Sequence, residues 1–294
     1  MNWFKGTGTA LATPFMEDFS IDLSSFDRLL QEQKKAQMDA LVLMGTTGES
    51  PVISFEERAQ LIRRAKEVLG NSMPLIVGTG SNNPTVVMEN NRQAEELGAD
   101  AILLVNPYYN KSTQEGLIDF YSYIAGQTKL PVMLYNVPSR TGMNILPETM
   151  VRIHQQSPNV SAIKEASGDI SQIARLMSLK PSSLEVFSGN DDQTLPIIAL
   201  GGQGVVSVAS DLAPVEMKAM NDELLNGDWA KGRAQFLRFF PLMKDLFVET
   251  SPSPLKYALS CRGWCRNVLR RPLVKASEKT EKLLRADLES LGLL

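Results

Sequence analysis

Eight short apolar segments occur along the first 208 residues, and each is followed by a longer stretch with helical periodicity. The segments consist mainly of Val, Ile, Leu and Ala without polar alternation, which is typical of parallel strands buried on both faces. This alternation of strands and helices predicts an α/β fold, and eight repeats favour a closed (β/α)8 TIM barrel over an open doubly wound sheet. The predicted strands are Gly8–Thr13, Ala40–Met44, Leu75–Gly78, Ala101–Val105, Val132–Tyr135, Ser161–Lys164, Leu184–Phe187 and Val205–Val208.

Two helix starts carry the capping-box pattern, in which a Ser or Thr is followed three residues later by Glu or Gln. Ser54 with Glu57 is the first, and Ser112 with Glu115 is the second. The pattern predicts that each serine is the N-cap of the helix after a strand.

The chain is longer than a barrel requires. Such barrels take about 250 residues including their helices, and helical patterns continue after residue 226. We therefore predict a barrel over residues 1–226 and a C-terminal helical domain over residues 227–294, called the C-terminal extension below. Its predicted helices are Trp229–Val248, Pro254–Gly263 and Glu278–Leu291.

Composition excludes several classes of function. The net charge is −3 with a pI of about 5.5, whereas a nucleic-acid-binding protein usually presents a basic face. No apolar run approaches the ~20 residues that cross a bilayer, and residues 1–8 lack the basic-then-apolar plan of a signal peptide. We expect a cytoplasmic protein that binds neither nucleic acid nor membranes.

The chain contains one histidine, His154, and two cysteines, Cys261 and Cys265. One imidazole and two thiols without further ligands at suitable spacing do not make a zinc site. We predict no metal site and a structural role for all three residues. Because histidine is the commonest acid–base catalyst, catalysis in this chain would depend on other groups.

Active sites of TIM barrels lie at the carboxyl ends of the strands, where this sequence has Lys164 and Tyr135. A partly buried lysine loses its proton more readily and can then act as an amine nucleophile. A tyrosine on the neighbouring strand could move protons. Each also has a simpler interpretation: a lysine that reaches solvent at the strand end, and an aromatic residue on the rim.

Three other strand ends carry polar or aromatic residues. The Gly45–Gly48 turn, with Thr46 and Thr47, offers hydroxyls and backbone N–H groups that suit a carboxylate, although it equally suits a plain connection. Arg140 could bind a second carboxylate, or could simply be solvated. Tyr108-Tyr109 is typical of an interface. The convergence of these signals on one face of the barrel favours an active site.

From Gly6 to the C-terminal helices, the sequence resembles the dihydrodipicolinate synthase / N-acetylneuraminate lyase family. The resemblance is carried by the combination of Gly45–Ser50, Tyr135–Gly142 and Ile163–Gly168. It implies a TIM barrel with a C-terminal helical domain, in agreement with the strand pattern.

The resemblance also implies a role for each candidate residue. Pyruvate would form a Schiff base with Lys164. The proton relay would consist of Tyr135, Thr46 and a Tyr109 donated across a dimer interface, and Arg140 would receive the carboxylate of the second substrate. The residues assigned to the pyruvate pocket are Thr47, Val206 and Gly189.

The implied reaction condenses pyruvate with L-aspartate-4-semialdehyde, in lysine and diaminopimelate synthesis. It needs no cofactor beyond the covalent imine, and the resemblance implies a homo-oligomer, a dimer of dimers. One alternative is a sugar-acid lyase such as N-acetylneuraminate lyase, for which Arg140 is the discriminating residue. A non-catalytic keto-acid-binding barrel is an alternative from another class.

The sequence departs from lysine-inhibited family members near the Gly45–Ser50 motif. Those members carry polar residues, often histidine or acidic, at positions that here look like Phe55, Arg58 and Val86. We therefore predict weak or absent feedback inhibition by lysine.

Overall fold

The computed structural model describes residues 3–294. Its central feature is a closed barrel of eight parallel strands in sequential order, β1 to β8, in which β8 pairs with β1. The strands are β1 (Gly6–Ala10), β2 (Ala40–Leu43), β3 (Leu75–Gly78), β4 (Ala101–Val105), β5 (Val132–Asn136), β6 (Val160–Glu165), β7 (Glu185–Ser188) and β8 (Gly204–Ser207). The predicted (β/α)8 fold is confirmed, and the observed β1 begins and ends earlier than predicted.

Helices follow the strands and form the outer layer. They are α1 (Leu23–Lys35), α2 (Phe55–Leu69), α3 (Pro84–Glu96), α4 (Gln114–Ala125), α5 (Pro138–Thr141), α6 (Pro147–Gln156), α7 (Ile170–Leu179), α8 (Thr194–Ala199) and α9 (Pro214–Leu225). Helix α2 begins with the predicted capping box of Ser54 and Glu57. The second predicted box is wrong, because the N-cap of α4 is Thr113, whose side chain accepts from the N–H of Gly116.

Two glycines allow the barrel to close between β1 and β8. Gly6 and Gly204 are paired, with φ of 126° and 143°. A Cβ atom on Gly204 would come within 1.8 Å of the carbonyl oxygen of Gly6, so a side chain at this position would separate the strands.

The barrel has two hydrophobic cores, one between strands and helices and one inside the barrel. The inner core includes Tyr135, Ala162 and Val206. The strict alternation of side chains predicts that Val160 shares a face with Ala162 and Lys164. This is wrong, because an irregularity between Val132 and Met133 shifts the register and places Val160 in the outer core.

Three helices follow the barrel: α10 (Trp229–Asp245), α11 (Ser253–Cys261) and α12 (Glu278–Leu291). They correspond to the predicted helices of the C-terminal extension. The division at residue 226 stays a prediction, since α9 and α10 pack against each other across it. Within residues 3–294, no helix is both long and apolar enough to cross a membrane.

Candidate active site

Lys164 and Tyr135 lie side by side near the carboxyl ends of adjacent strands. They are register partners between β5 and β6, and Lys164 Nζ is 4.4 Å from the centroid of the Tyr135 ring. The exposed fractions are only 5% for Lys164 and 7% for Tyr135. The lysine therefore does not extend into solvent, which removes the simpler interpretation of this residue.

Burial lowers the pKa of Lys164 to about 8, below its ordinary 10.5. The negative charge of Asp191 raises this pKa and the positive charge of Arg140 lowers it, but desolvation is the dominant cause. At pH 7 a pKa of about 8 leaves ~10% of the amine unprotonated, compared with ~0.03% at 10.5. The site thus supplies a nucleophilic amine near neutral pH.

The Tyr135 phenol is also buried. Burial raises its pKa, whereas the charge of Arg140 and the neighbouring hydroxyl of Thr46 lower it. These three residues line one cavity of about 660 Å³. Lys164 does not line this cavity, but it contacts Tyr135, which does. The cavity therefore connects the surface with the lysine–tyrosine pair.

The turn after β2 carries Thr46 and Thr47. It is tight: the N–H of Glu49 donates to the carbonyl of Thr46 at 3.1 Å, and Glu49 has a left-handed φ of 54°. Thr13 Oγ1 donates to the carbonyl of Gly48 at 2.8 Å and anchors the turn to the loop after β1. Thr47 is buried, and the half-buried Thr46 lines the cavity with its side chain close to the Tyr135 phenol.

Gly189 directly follows β7, the strand beside that of Lys164, and Val206 lies one strand further on, in β8. The N–H of Gly189 donates to the carbonyl of Glu165 at 2.7 Å, and a Cβ atom here would come within 3.0 Å of Lys164 Cγ. Only glycine lets the chain approach the lysine this closely. Val206 is fully buried in the inner core, where its isopropyl group supplies an apolar wall.

Arg140 lies at the exposed rim of the cavity, in the short helix α5. Its Nη2 donates to the carbonyl of Ser251 in the C-terminal extension at 3.4 Å. The same guanidinium perturbs the pKa of both Tyr135 and Lys164. A cation at this rim can attract and orient an anionic substrate above the buried pair.

Tyr109 is a candidate that the structure places away from the site. It is 94% exposed, has a positive φ of 70°, and does not line the cavity. Its neighbour Tyr108 does line the cavity, and Asn82 holds this loop by donating to the Tyr108 carbonyl at 3.1 Å. Within a single chain, Tyr109 is a projecting loop tip.

Asp191 belongs to the site although the sequence did not single it out. It is buried after β7, and its Oδ2 accepts from the N–H groups of Val208 and Ala209 at 2.9 and 3.0 Å. Burial raises the pKa of its carboxyl group. The sequence signal that could have identified Asp191 was its position just after a strand, two residues beyond Gly189.

A polar network lies behind the lysine–tyrosine pair. Asn136 Nδ2 donates to both carboxylate oxygens of Glu165 at 3.2 and 3.1 Å, and Asn106 Nδ2 donates to Asn136 Oδ1 at 3.2 Å. Asn136 and Glu165 directly follow Tyr135 and Lys164 in the chain. The network therefore fixes the backbone that carries the two side chains.

The residues expected to weaken lysine inhibition line the same cavity: Phe55, Arg58 and Val86. Arg58 is buried, and its Nη2 donates to the carbonyl of Gly78 at 2.6 Å. Burial lowers its pKa to about 10, so it is cationic at neutral pH.

His154 is remote from this site. Its Nδ1 is 2.8 Å from the carbonyl oxygen of Val160, at the opposite end of β6 from Lys164, and its Nε2 is 2.7 Å from Ser183 Oγ. Across residues 3–294, no group of three or more His, Cys, Asp or Glu side chains is arranged to hold a metal ion.

Comparison with known proteins gives a consistent result across the whole chain. Residues 3–291 match the model of the dihydrodipicolinate synthetase family. The 4-hydroxy-tetrahydrodipicolinate synthases of Thermotoga neapolitana and Thermotoga maritima are each 47% identical over 294 residues, covering 99% of this chain and 100% of theirs.

Solved structures of the same family lead to the same assignment. The dihydrodipicolinate synthase of Thermotoga maritima superimposes with a TM-score of 0.98 at 47% identity, with both chains covered completely. A monomeric dihydrodipicolinate synthase variant superimposes with a TM-score of 0.96 at 46% identity, covering 99% of this chain and 98% of the variant. With the family model matched from residue 3 to residue 291, the chain belongs to the dihydrodipicolinate synthetase family.

Proposed function

We propose that this enzyme condenses pyruvate with L-aspartate-4-semialdehyde to 4-hydroxy-tetrahydrodipicolinate, in lysine and diaminopimelate biosynthesis. The names of its relatives support this lyase activity. The observation that carries the mechanism is the buried Lys164, whose pKa is about 8 and whose Nζ is 4.4 Å from the Tyr135 ring centroid. No cofactor is required, because the covalent imine on Lys164 performs the electronic role of one.

The unprotonated amine of Lys164 attacks the keto carbon of pyruvate, and loss of water gives a protonated imine. The imine withdraws electrons, so the pyruvate methyl group loses a proton and becomes the nucleophilic carbon of an enamine. That carbon forms a bond to the aldehyde carbon of the second substrate, and the aldehyde oxygen takes up a proton. The amino group of the second substrate then attacks the former keto carbon, which closes the ring and releases Lys164.

Tyr135 moves the protons in these steps. It is buried beside the lysine, and the Thr46 hydroxyl already influences its pKa. The relay continues through Thr46 to Tyr109 of a second subunit, which accounts for a tyrosine that is 94% exposed and remote from the site in its own chain. A site completed in this way requires a homo-oligomer, and the family resemblance implies a dimer of dimers in the cytoplasm.

Substrate recognition is divided between the barrel interior and its rim. Thr47 binds the pyruvate carboxylate, while Gly189 leaves space beside Lys164 and Val206 contacts the apolar part of pyruvate. Arg140 binds the carboxylate of the semialdehyde at the rim. A carboxylate-binding arginine suits this substrate better than the hydroxyl-rich chain of a sugar acid.

Borohydride trapping with pyruvate tests the imine directly. Incubation with pyruvate and sodium borohydride should add the mass of pyruvate minus water plus two hydrogens, at Lys164, and Lys164→Ala should abolish the adduct. An absent adduct on wild-type protein would contradict the mechanism. Activity with N-acetylneuraminate but not with the semialdehyde would instead contradict the second substrate.

A further inference from the structure

The carboxylate of Glu49 is buried at the end of the Thr46–Thr47 turn and contacts the C-terminal extension. Its Oε1 forms an ion pair with Nζ of Lys256 in α11. Its Oε2 accepts from the backbone N–H of Arg270 at 3.0 Å. The turn is thus connected to two separate segments of the extension through one side chain.

The Glu49–Lys256 pair is completely withdrawn from solvent, with side-chain exposures of 1% and 0%. Lys256 also donates to the carbonyl of Val268 at 2.8 Å, and its Nζ is 4.1 Å from the Phe15 ring centroid. A buried ion pair is seldom a net source of stability, because desolvation offsets its attraction. Such a pair instead fixes the relative positions of the segments that it joins.

The geometry of Glu49 is coupled to the threonines before it. Its left-handed backbone closes the turn through the hydrogen bond to the Thr46 carbonyl. A displacement of its carboxylate would therefore change the orientation of Thr46 and Thr47. Arg270 reinforces the arrangement, since its Nη1 donates to the carbonyl of Val52 at 2.7 Å, just after the turn.

We propose that Glu49 is a positioning residue, whose contacts with Lys256 and Arg270 hold the Thr46 and Thr47 hydroxyls in their catalytic orientation. The C-terminal extension then contributes to catalysis without touching the substrate. This inference rests on the proposed roles of the two threonines.

The double variant Glu49→Leu/Lys256→Met tests the proposal, because it removes both buried charges and leaves neither unpaired. It should fold, as judged by circular dichroism and its unfolding temperature. Displaced hydroxyls should raise KM for pyruvate and lower kcat, reducing kcat/KM about 10- to 100-fold. KM for the semialdehyde should change little, because Arg140 is untouched. Partial unfolding alone would lower kcat and leave KM for pyruvate unchanged.

The matched control is Asp39→Asn, at the opposite end of β2. Asp39 pairs with Lys218 at 2.8 Å and lies far from the turn, so this variant should retain wild-type kinetics. Glu49→Gln is the second test variant: it keeps the side-chain shape, and Lys256 can release its proton, since burial already lowers its pKa. Its amide oxygen can still accept from the Arg270 N–H, so this variant should keep KM for pyruvate and kcat close to wild type and thereby separate lost geometry from lost charge.

Two results separate this inference from the proposed function. Trapping of pyruvate on Lys164 at saturating pyruvate should persist in wild-type protein and in both Glu49 variants. Wild-type kinetics in a folded double variant, or a defect in Glu49→Gln as large as that of the double variant, would overturn the positioning role alone. Absence of trapping in wild-type protein would overturn the proposed function, and the inference with it.

Discussion

Replacement of Lys164 by Met should stabilise the protein at neutral pH while abolishing the reaction. Methionine has a similar length and no charge to desolvate. Burial lowers the pKa of Lys164 from 10.5 to about 8 when the protein folds. Because one pKa unit corresponds to about 1.36 kcal/mol, burying this ammonium lowers the free energy of unfolding by about 3 kcal/mol at pH 7. Lys164→Met should therefore raise the free energy of unfolding by about the same amount.

The gain should depend on pH in a defined direction. Between pH 8 and 10.5 the unfolded chain keeps the proton that the folded protein has released, so wild-type stability rises with pH over this range. Below pH 8 both states are protonated and the full penalty applies. The advantage of Lys164→Met should therefore be largest at pH 7 and should shrink towards pH 10.

Urea unfolding followed by circular dichroism, at pH 7 and pH 10, measures both effects. Lys218→Met is a control that should lower the free energy of unfolding instead of raising it. Burial lowers the pKa of Lys218, but Asp39 and Asp222 outweigh burial and raise it, so this lysine stabilises the fold below pH 10.5. Equal or lower stability of Lys164→Met at pH 7, or an advantage that does not change with pH, would refute the reasoning.

Three further predictions concern activity. Tyr135→Phe should lower kcat about 10²- to 10⁴-fold with little loss of stability, and an unchanged kcat would remove Tyr135 from the mechanism. Arg140→Ala should raise KM for the semialdehyde about 10-fold or more, as expected for loss of a charge-assisted hydrogen bond, while pyruvate trapping persists. Lysine should inhibit weakly in a steady-state assay, because buried Arg58 repels a cation and Phe55 and Val86 offer it no polar partner. Strong inhibition at sub-millimolar lysine would contradict this explanation.

Several features could be predicted from the sequence because their causes are local. The eight apolar segments are buried on both faces wherever they pair, so their composition alone indicated parallel strands. Lys164 and Tyr135 could be assigned to one end of the barrel because each is the last residue of a predicted strand, one residue before the observed end. The family resemblance named the chemistry, and the capping box of Ser54 is formed within four consecutive residues.

Other features arise only when distant segments meet. The register irregularity beside Val132 places the Val160 side chain on the opposite face of β6 from the one that strict alternation predicts. The low pKa of Lys164 is caused mainly by the desolvation that the closed barrel imposes.

The same distinction applies to the turn that carries Thr46 and Thr47. Its motif was recognisable in the sequence, but the partners of Glu49 lie in the C-terminal extension, more than 200 residues further along the chain. No sequence pattern connects Glu49 with Lys256, because the pair exists only where the extension packs against the barrel. The sequence thus determined which groups stand at the barrel end, and the tertiary structure decided their protonation and their orientation.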